Sequence, residues 1–216
     1  YQKRKSKNFL EPLQMTNYMQ TNILDMLEYV GEDNCQKILS TFSCPLNTDV
    51  EDFIHTKAIQ FAKQKTAISY LVFAEKDNMR YLVGYYTLTN KFVCVNNTSL
   101  SKTMQKKIGK FSQYDPASDR FMVSMPLIAQ LGKNFNTNLP MKMAGADLLE
   151  MALDRVLEVE HLIGGKTVYI ECNNQPKLFD FYSATGFFSF DERVHQTNDP
   201  NDTNNVLIQM LKYFNH

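Results

Sequence analysis

The chain is 216 residues long and 44% hydrophobic, enough for a sizeable core in one large domain. Lys plus Arg and Asp plus Glu number 23 each, so no global field draws the protein toward nucleic acid or an anionic membrane, and any anion site must be local. Cys35, Cys44, Cys94 and Cys172 form neither a C-x-x-C pair nor a metal-like pattern, and no stretch approaches the ~18 apolar residues of a membrane span. A reduced, soluble, cytoplasmic protein with no membrane partner is expected.

Residues 1–36 read as an N-terminal extension, with a basic tip from Lys3 to Lys7 and a helical segment in "TNILDMLEYV". "NTDVEDFIHTKAIQFAKQ" opens with Thr48 and Glu51 spaced as a capping box, and Val50, Phe53, Ile54, Ala58 and Phe61 recur on one face, which predicts a helix of about four turns. "AISYLVF", "YLVGYYTL" and "FVCV" carry the β-branched and aromatic residues of strands, with "EKDNMR" and "TNK" as turns between them, giving an antiparallel meander. Lys102, Lys106, Lys107 and Lys110 follow, a place where a local anion site could lie, although such a run is more often a solvated helix face.

"DRFMVSMPLIAQLGKNF" is a long strand pattern in which Pro126, lacking an N–H, implies a bulge or a new start. "MAGADLLEMALDRVLEVEH" places Leu148, Leu149, Ala152, Leu153 and Val156 in a helical stripe. "KTVYIEC" is a short buried strand. The next helix opens at Asn174, Gln175 and Pro176 and stops at Gly186. "FFSFDER" and "NNVLIQMLKY" end the chain as strands joined by "VHQTNDPNDT". An antiparallel meander feeding a strand-helix-strand crossover makes a mixed α/β (α+β) fold, a central twisted sheet of about seven strands flanked by helices.

His55, His161, His195 and His216 show no ligand spacing, so no metal is expected, and G-x-S-x-G, Walker and G-x-G-x-x-G patterns are absent. What remains is the junction "GKNFNTNLPMKMAGADLL", where a strand passes through a polar loop into a helix with Gly145 in its first turn. The first N–H groups of a helix lack internal partners and sit at the positive end of its dipole, so a phosphate can bind there. A lone glycine in a first turn serves equally as a packing residue. Tyr182, in "PKLFDFYSATGF", reads either as a half-buried aromatic or as a proton donor.

From about residue 37 to 213 the chain resembles the GNAT-type N-acetyltransferases, over "PLIAQLGKNF", "MAGADLLEMAL" and above all "IGGKTVYIECNNQPKLFDFYSATGFFSFDER". The resemblance implies acetyl-CoA as co-substrate, bound between two splayed strands with its pyrophosphate on the turn that opens the central helix. It implies coenzyme contacts from Gln130, Leu131, Gly132 and Lys133, from Lys142, Met143, Ala144, Gly145 and Ala146, and from Asn174 and Phe179. It makes Tyr182 the proton donor to the departing thiolate, with Glu171 as the candidate base at a strand end.

The pyrophosphate loop departs from the family's pattern: aligned on Leu148 and Leu149, its usual Gln or Arg and its two small residues fall on Pro140, Met143 and Gly145, so only the second small position is kept and Lys142 is left to supply charge. The expected partners are therefore acetyl-CoA and a small-molecule or peptide amine, with a homodimer as a further expectation. Two alternatives stay open. One is a non-catalytic domain that holds an acyl-CoA or a protein partner. The other is a toxin-like acetyltransferase acting on aminoacyl-tRNA, since "VEDFIHTKAIQFAKQKTAISYLVF" and "LVGYYTL" are similar to segments of such toxins, although the charge balance argues against nucleic acid.

Overall fold

The computed structural model describes residues 18–194 and 206–215. The basic tip, His195, His216 and most of the "VHQTNDPNDT" loop lie outside them. In chain order the elements are β1 (Tyr18–Asn22), α1 (Ile23–Val30), α2 (Glu32–Leu39), α3 (Thr48–Thr56), α4 (Ala58–Lys63), β2 (Ile68–Lys76), β3 (Met79–Asn96) and a short 3-10 turn, Asn97–Ser99. They continue with α5 (Lys102–Ile108), β4 (Gln113–Asp115), β5 (Arg120–Lys133), α6 (Gly145–Ile163), β6 (Thr167–Asn173), α7 (Pro176–Ala184), β7 (Phe188–Val194) and β8 (Val206–Tyr213). Among the described residues the strands form one eight-stranded sheet ordered β1-β2-β3-β5-β6-β8-β7, with β4 on the side of β5. All neighbours are antiparallel except β5 and β6, the crossover pair.

Three apolar clusters cover the sheet. The buried stripe Leu148, Leu149, Ala152 and Val156 of α6 packs with Ile128, Val168, Ile170 and Met210 on one face, joined by Leu178, Phe181 and Tyr182 of α7. On the other face α1 to α4 pack Ile23, Leu39, Val50 and Ile54 against Leu71, Leu82 and Tyr85. Beyond them Ile108 of α5 packs with Val93, Val123, Leu127, Tyr169 and Leu211. Within the stretch read as an extension, β1 pairs to β2 over Tyr18 to Asn22 and forms the edge of the sheet.

Several local expectations differ from the structure for physical reasons. Asn47, not Thr48, caps α3, its side chain accepting from Val50 N at 3.3 Å, and Glu51 instead reaches back to Ser43 Oγ and Cys44 N. The four-turn helix breaks at Lys57 (φ −119°), next to a Thr56 hydroxyl that bonds back to the Asp52 carbonyl at 2.6 Å. Thr89, Asn90 and Lys91 do not turn: β3 runs through them for 18 residues because β5 supplies a ladder partner at each, and their polarity serves a strand surface. The true hairpin turn is at Asp77 and Asn78, with φ of 52° and 60°.

Pro126 makes no bulge. It stands opposite Asn90, where β5 has no strand partner on its other side, so the missing N–H deprives no neighbour there. The irregularity falls three residues later, where Ile128 and Gln130 face the adjacent Leu88 and Thr87 and Ala129 is left over.

Candidate active site

The site begins where a ladder ends. β5 and β6 share two parallel rungs, Leu127 with Tyr169 and Ile128 with Ile170, after which β5 runs on to Lys133 and β6 to Asn173 without pairing to each other. The leftover residue Ala129 lies at the point of departure, and a bulge bends its strand. Past the bulge, Asn134 N donates to Val83 O at 2.9 Å, which fixes the antiparallel phase. Gln130, Gly132 and Asn134 address β3, while Leu131 and Lys133 turn their N–H and C=O groups toward the gap. A gap between parallel strands edged by unpaired backbone groups suits an extended, amide-bearing ligand.

At the mouth of the gap α6 starts without a side-chain cap. Its N-cap is Ala144, which has no acceptor, so the first N–H groups of a 19-residue helix are left for solvent or a ligand. Gly145 is not required by the protein itself: a methyl group built on it would lie 3.7 Å from Phe181 Cζ and 4.0 Å from Lys133 Cδ, ordinary contacts. Its backbone has no positive φ either. The bare backbone leaves an open cradle beside the capless N–H groups, which fits a phosphate approaching closely.

Lys133 passes its stem beside Gly145, with its ammonium 5.2 Å over the Phe135 ring. Lys142, Ala144 and Ala146 are exposed around it, whereas the Met143 side chain is buried in the α6 core and anchors the loop, leaving only its backbone to a ligand. Gly132 has a packing role. A methyl group there would come within 2.4 Å of Val50 Cγ1 and 3.0 Å of Phe42 Cζ, so this glycine lets α3 and its loop press on β5.

Tyr182 stands on α7 with its ring between Phe181 and Phe187, at centroid distances of 5.0 and 5.8 Å. The "GF" that follows explains its placement. Gly186 takes φ +90°, and the N–H of Phe187 returns to Tyr182 O at 3.1 Å, closing the helix and packing Phe187 under the tyrosine. Among the described residues no hydrogen bond engages the Tyr182 hydroxyl, although the ring is packed into the core. Burial, with Cys172 beside it, pushes the pKa of this phenol up, so the hydroxyl keeps its proton at neutral pH.

Glu171 follows a different path. Successive residues of a strand face opposite sides, so Glu171 and Tyr169 lie on the face away from Cys172 and Tyr182. Its carboxylate takes hydrogen bonds from the Tyr169 hydroxyl and Gln209 Nε2 (3.2 Å) and pairs with Arg193. Asn174 and Phe179 are exposed and line a cavity of about 500 Å³ with Ser189, Asp191 and Glu192 of β7. The structure therefore gathers Leu131, Lys133, Gly145 and Tyr182 around the gap, sets Glu171 on its far face, and turns Asn174 and Phe179 toward β7.

Phe181 and Cys172 escaped the sequence reading. Phe181 spans from Tyr182 to Gly145, tying α7 to the opening of α6, and Cys172 sits next to Tyr182 with its thiol 3.9 Å from Met210 Sδ. Their only sequence signals were adjacency to Tyr182 and position at the end of a buried strand. Among the described residues no helix is long and apolar enough to cross a membrane, and all four cysteines are free.

No protein-family model and no curated protein matches the chain. Solved structures do. It superposes on AtaT complexed with acetyl-methionyl-tRNAfMet with a TM-score of 0.59 and 20% identity, over 89% of this chain and 94% of that one. A tyrosine-to-phenylalanine mutant of KacT matches at 0.56 and 20%, over 88% and 93%, and AtaTR bound with AcCoA at 0.52 and 16%, over 88% and 91%. With the strand order, the opened β5–β6 pair and the capless α6 in place, these likenesses establish that the chain has the GNAT-type acetyltransferase fold.

Proposed function

We propose that the protein is an acetyl-CoA-dependent N-acetyltransferase in which a primary amine attacks the thioester directly and Tyr182 is the general acid. The observation that carries this reading is a tyrosine hydroxyl, without a hydrogen-bond partner among the described residues, on the helix that borders the gap between β5 and β6. The capless start of α6 at Gly145, with Lys133 beside it, would hold the pyrophosphate, and the outward backbone groups of Leu131 and Lys133 would receive the amide-bearing arm.

The chemistry then follows from proton accounting. An ammonium group has no lone pair, so the acceptor first gives up a proton, to Glu171 or to water on the face away from Tyr182. Its nitrogen forms a bond to the thioester carbonyl carbon, and the carbon–sulfur bond breaks with its electron pair on sulfur. The Tyr182 hydroxyl gives that sulfur its proton and regains one released by the acylated nitrogen through solvent. Tyr182→Phe is expected to lower kcat by ~100-fold or more, the range of a positioned acid, with the coenzyme Kd nearly unchanged. Equal turnover in the variant would return Tyr182 to a packing role, and a melting-temperature shift with acetyl-CoA but no turnover at all would favour the non-catalytic binding domain.

For the acceptor, the balance of 23 cationic and 23 acidic residues supports a small-molecule or peptide amine. The likeness to a protein complexed with acetyl-methionyl-tRNAfMet favours aminoacyl-tRNA as the rival. Labelled acetyl-CoA offered with separate pools of polyamines, peptides and aminoacyl-tRNA distinguishes them, since labelling that depends on phosphate contacts weakens steeply with salt.

A further inference from the structure

On the face of the sheet away from Tyr182, a cavity of about 190 Å³ is lined by Lys91, Tyr169, Glu171, Arg193 and Gln209, with Val93 among its apolar walls. Tyr169 belongs to one of the two rungs that join β5 to β6, so this cavity lies directly beside the opening of the gap. Its polar groups are already arranged about one carboxylate. Gln209 Nε2 donates to Tyr169 Oη at 2.6 Å and to Glu171 Oε1 at 3.2 Å, the Tyr169 hydroxyl donates to the same carboxylate oxygen, and Arg193 pairs with the other. The Glu171 side chain is 17% exposed and that of Arg193 47%, so the carboxylate is held inside and the guanidinium reaches it from the solvent side.

Two features of this arrangement conflict with a simple base for a simple amine. Arg193 occupies one oxygen of Glu171 while Tyr169 and Gln209 occupy the other, so both carboxylate oxygens are already engaged when an amine arrives. The charged groups lining the cavity also sum to two cations, Lys91 and Arg193, against one carboxylate, so a bare alkylammonium meets an excess of positive charge. Both conflicts vanish for an acceptor that brings its own oxyanion. The oxyanion takes the guanidinium, for which a planar two-point contact is favourable, and Glu171 is released to face the ammonium.

We infer that the Arg193–Glu171 ion pair is a specificity latch, opened by acceptors that carry a phosphate or carboxylate group close to the reacting amine. This rests on the acetyltransferase reading above. Arg193 binds the acceptor's oxyanion, Tyr169 and Gln209 hold the Glu171 carboxylate in place, and Lys91 adds a second positive charge at the rim. The proton leaves the acceptor nitrogen for a Glu171 oxygen vacated by Arg193, and the latch closes again when the acetylated product departs.

The test compares matched amines with the full-length protein and acetyl-CoA: ethanolamine, its phosphate ester, and β-alanine. The wild type is expected to show kcat/KM ~10-fold or more higher for the phosphate ester or for β-alanine than for ethanolamine, the difference lying mainly in KM, and the better of the two anionic amines identifies the oxyanion. Arg193→Gln, which removes the cation and frees Glu171, is expected to cross the preference over: kcat/KM rises for ethanolamine and falls for the anionic amines. A brace that only supported the strands would lower all three together, and that result, or no change, would overturn the inference. So would failure of the wild type to acetylate any of the three while acetyl-CoA still raises its melting temperature. Loss of that melting shift would instead sink the acetyltransferase reading.

Discussion

The two sides of β5 behave differently. Toward β3 it pairs at thirteen positions, from Arg120 opposite Asn96 to Lys133 opposite Gly84, and it carries Gly132, a residue with no room for a side chain because Val50 and Phe42 press on it. Toward β6 it pairs at two, then leaves its edge open. One strand is thus fixed by nearly continuous hydrogen bonding on one side so that it can stay unsatisfied on the other. An unpaired edge inside a sheet loses ladder bonds worth roughly 1 kcal/mol each in net stability, a loss tolerable where a ligand or water takes them up. The same contrast separates two glycines. Gly132 is small because the protein fills the space beside it, whereas Gly145 is small although the protein leaves that space open.

Substitution at the crowded side is expected to have the largest effect on the fold. Gly132→Val would force a side chain into Val50 and Phe42, on the order of 3 kcal/mol of overpacking, read as a lower denaturant midpoint with an unchanged m-value. A loss under ~0.5 kcal/mol would show that α3 yields easily and that the packing contrast is overdrawn. Gly145→Glu tests the open side. Its side chain has room, so stability should move by no more than ~0.5 kcal/mol. Placing bulk and negative charge at the capless N–H groups should nevertheless abolish the melting-temperature rise with acetyl-CoA. Retention of that rise would move the pyrophosphate away from α6.

What could be read from the chain divides along the same line. The α6 stripe, the β6 strand and the Gly186 stop follow from local periodicity and backbone freedom, and each stands where its pattern puts it. The helix break at Lys57, the continuity of β3 through Thr89 to Lys91, and the irregularity at Ala129 rather than Pro126 are decided by partners far away in sequence. Resemblance supplied Tyr182 and the α6 turn, but neither pattern nor resemblance distinguishes Gly132 from Gly145, because both are lone glycines in a junction. Their roles separate only when Val50, some eighty residues earlier, is seen against one, and Phe181 and Lys133 at ordinary distance from the other. The engagement of Glu171 with Arg193 was likewise hidden: the two are joined only by the folding of β7 beside β8 and of β8 beside β6.

The smallest expected effect is also the one that best resolves the mouth of the gap. The loop before α6, proposed to hold the pyrophosphate, has Pro140 where the resemblance leads one to expect a basic or amide residue, and the sequence leaves Lys142 to supply the charge. The structure brings a second lysine to the same turn: Lys133 passes its stem 4.0 Å from the point where a Gly145 side chain would begin, while Lys142 is exposed on the loop. A partly screened lysine facing a pyrophosphate contributes less than the oriented N–H groups of a helix start, because its ammonium keeps much of its hydration and its stem must be ordered. Lys133→Ala is therefore expected to weaken acetyl-CoA by roughly 3- to 10-fold, with the loss shrinking as salt rises, and Lys142→Ala by less. Both variants should keep the fold, since Lys133 is only half-buried and its contact with Phe135 is a cation over a ring at 5.2 Å. Titration calorimetry at two ionic strengths makes the comparison. A larger loss for Lys142→Ala than for Lys133→Ala would mean that the loop, and not the open end of β5, carries the charge that holds the coenzyme.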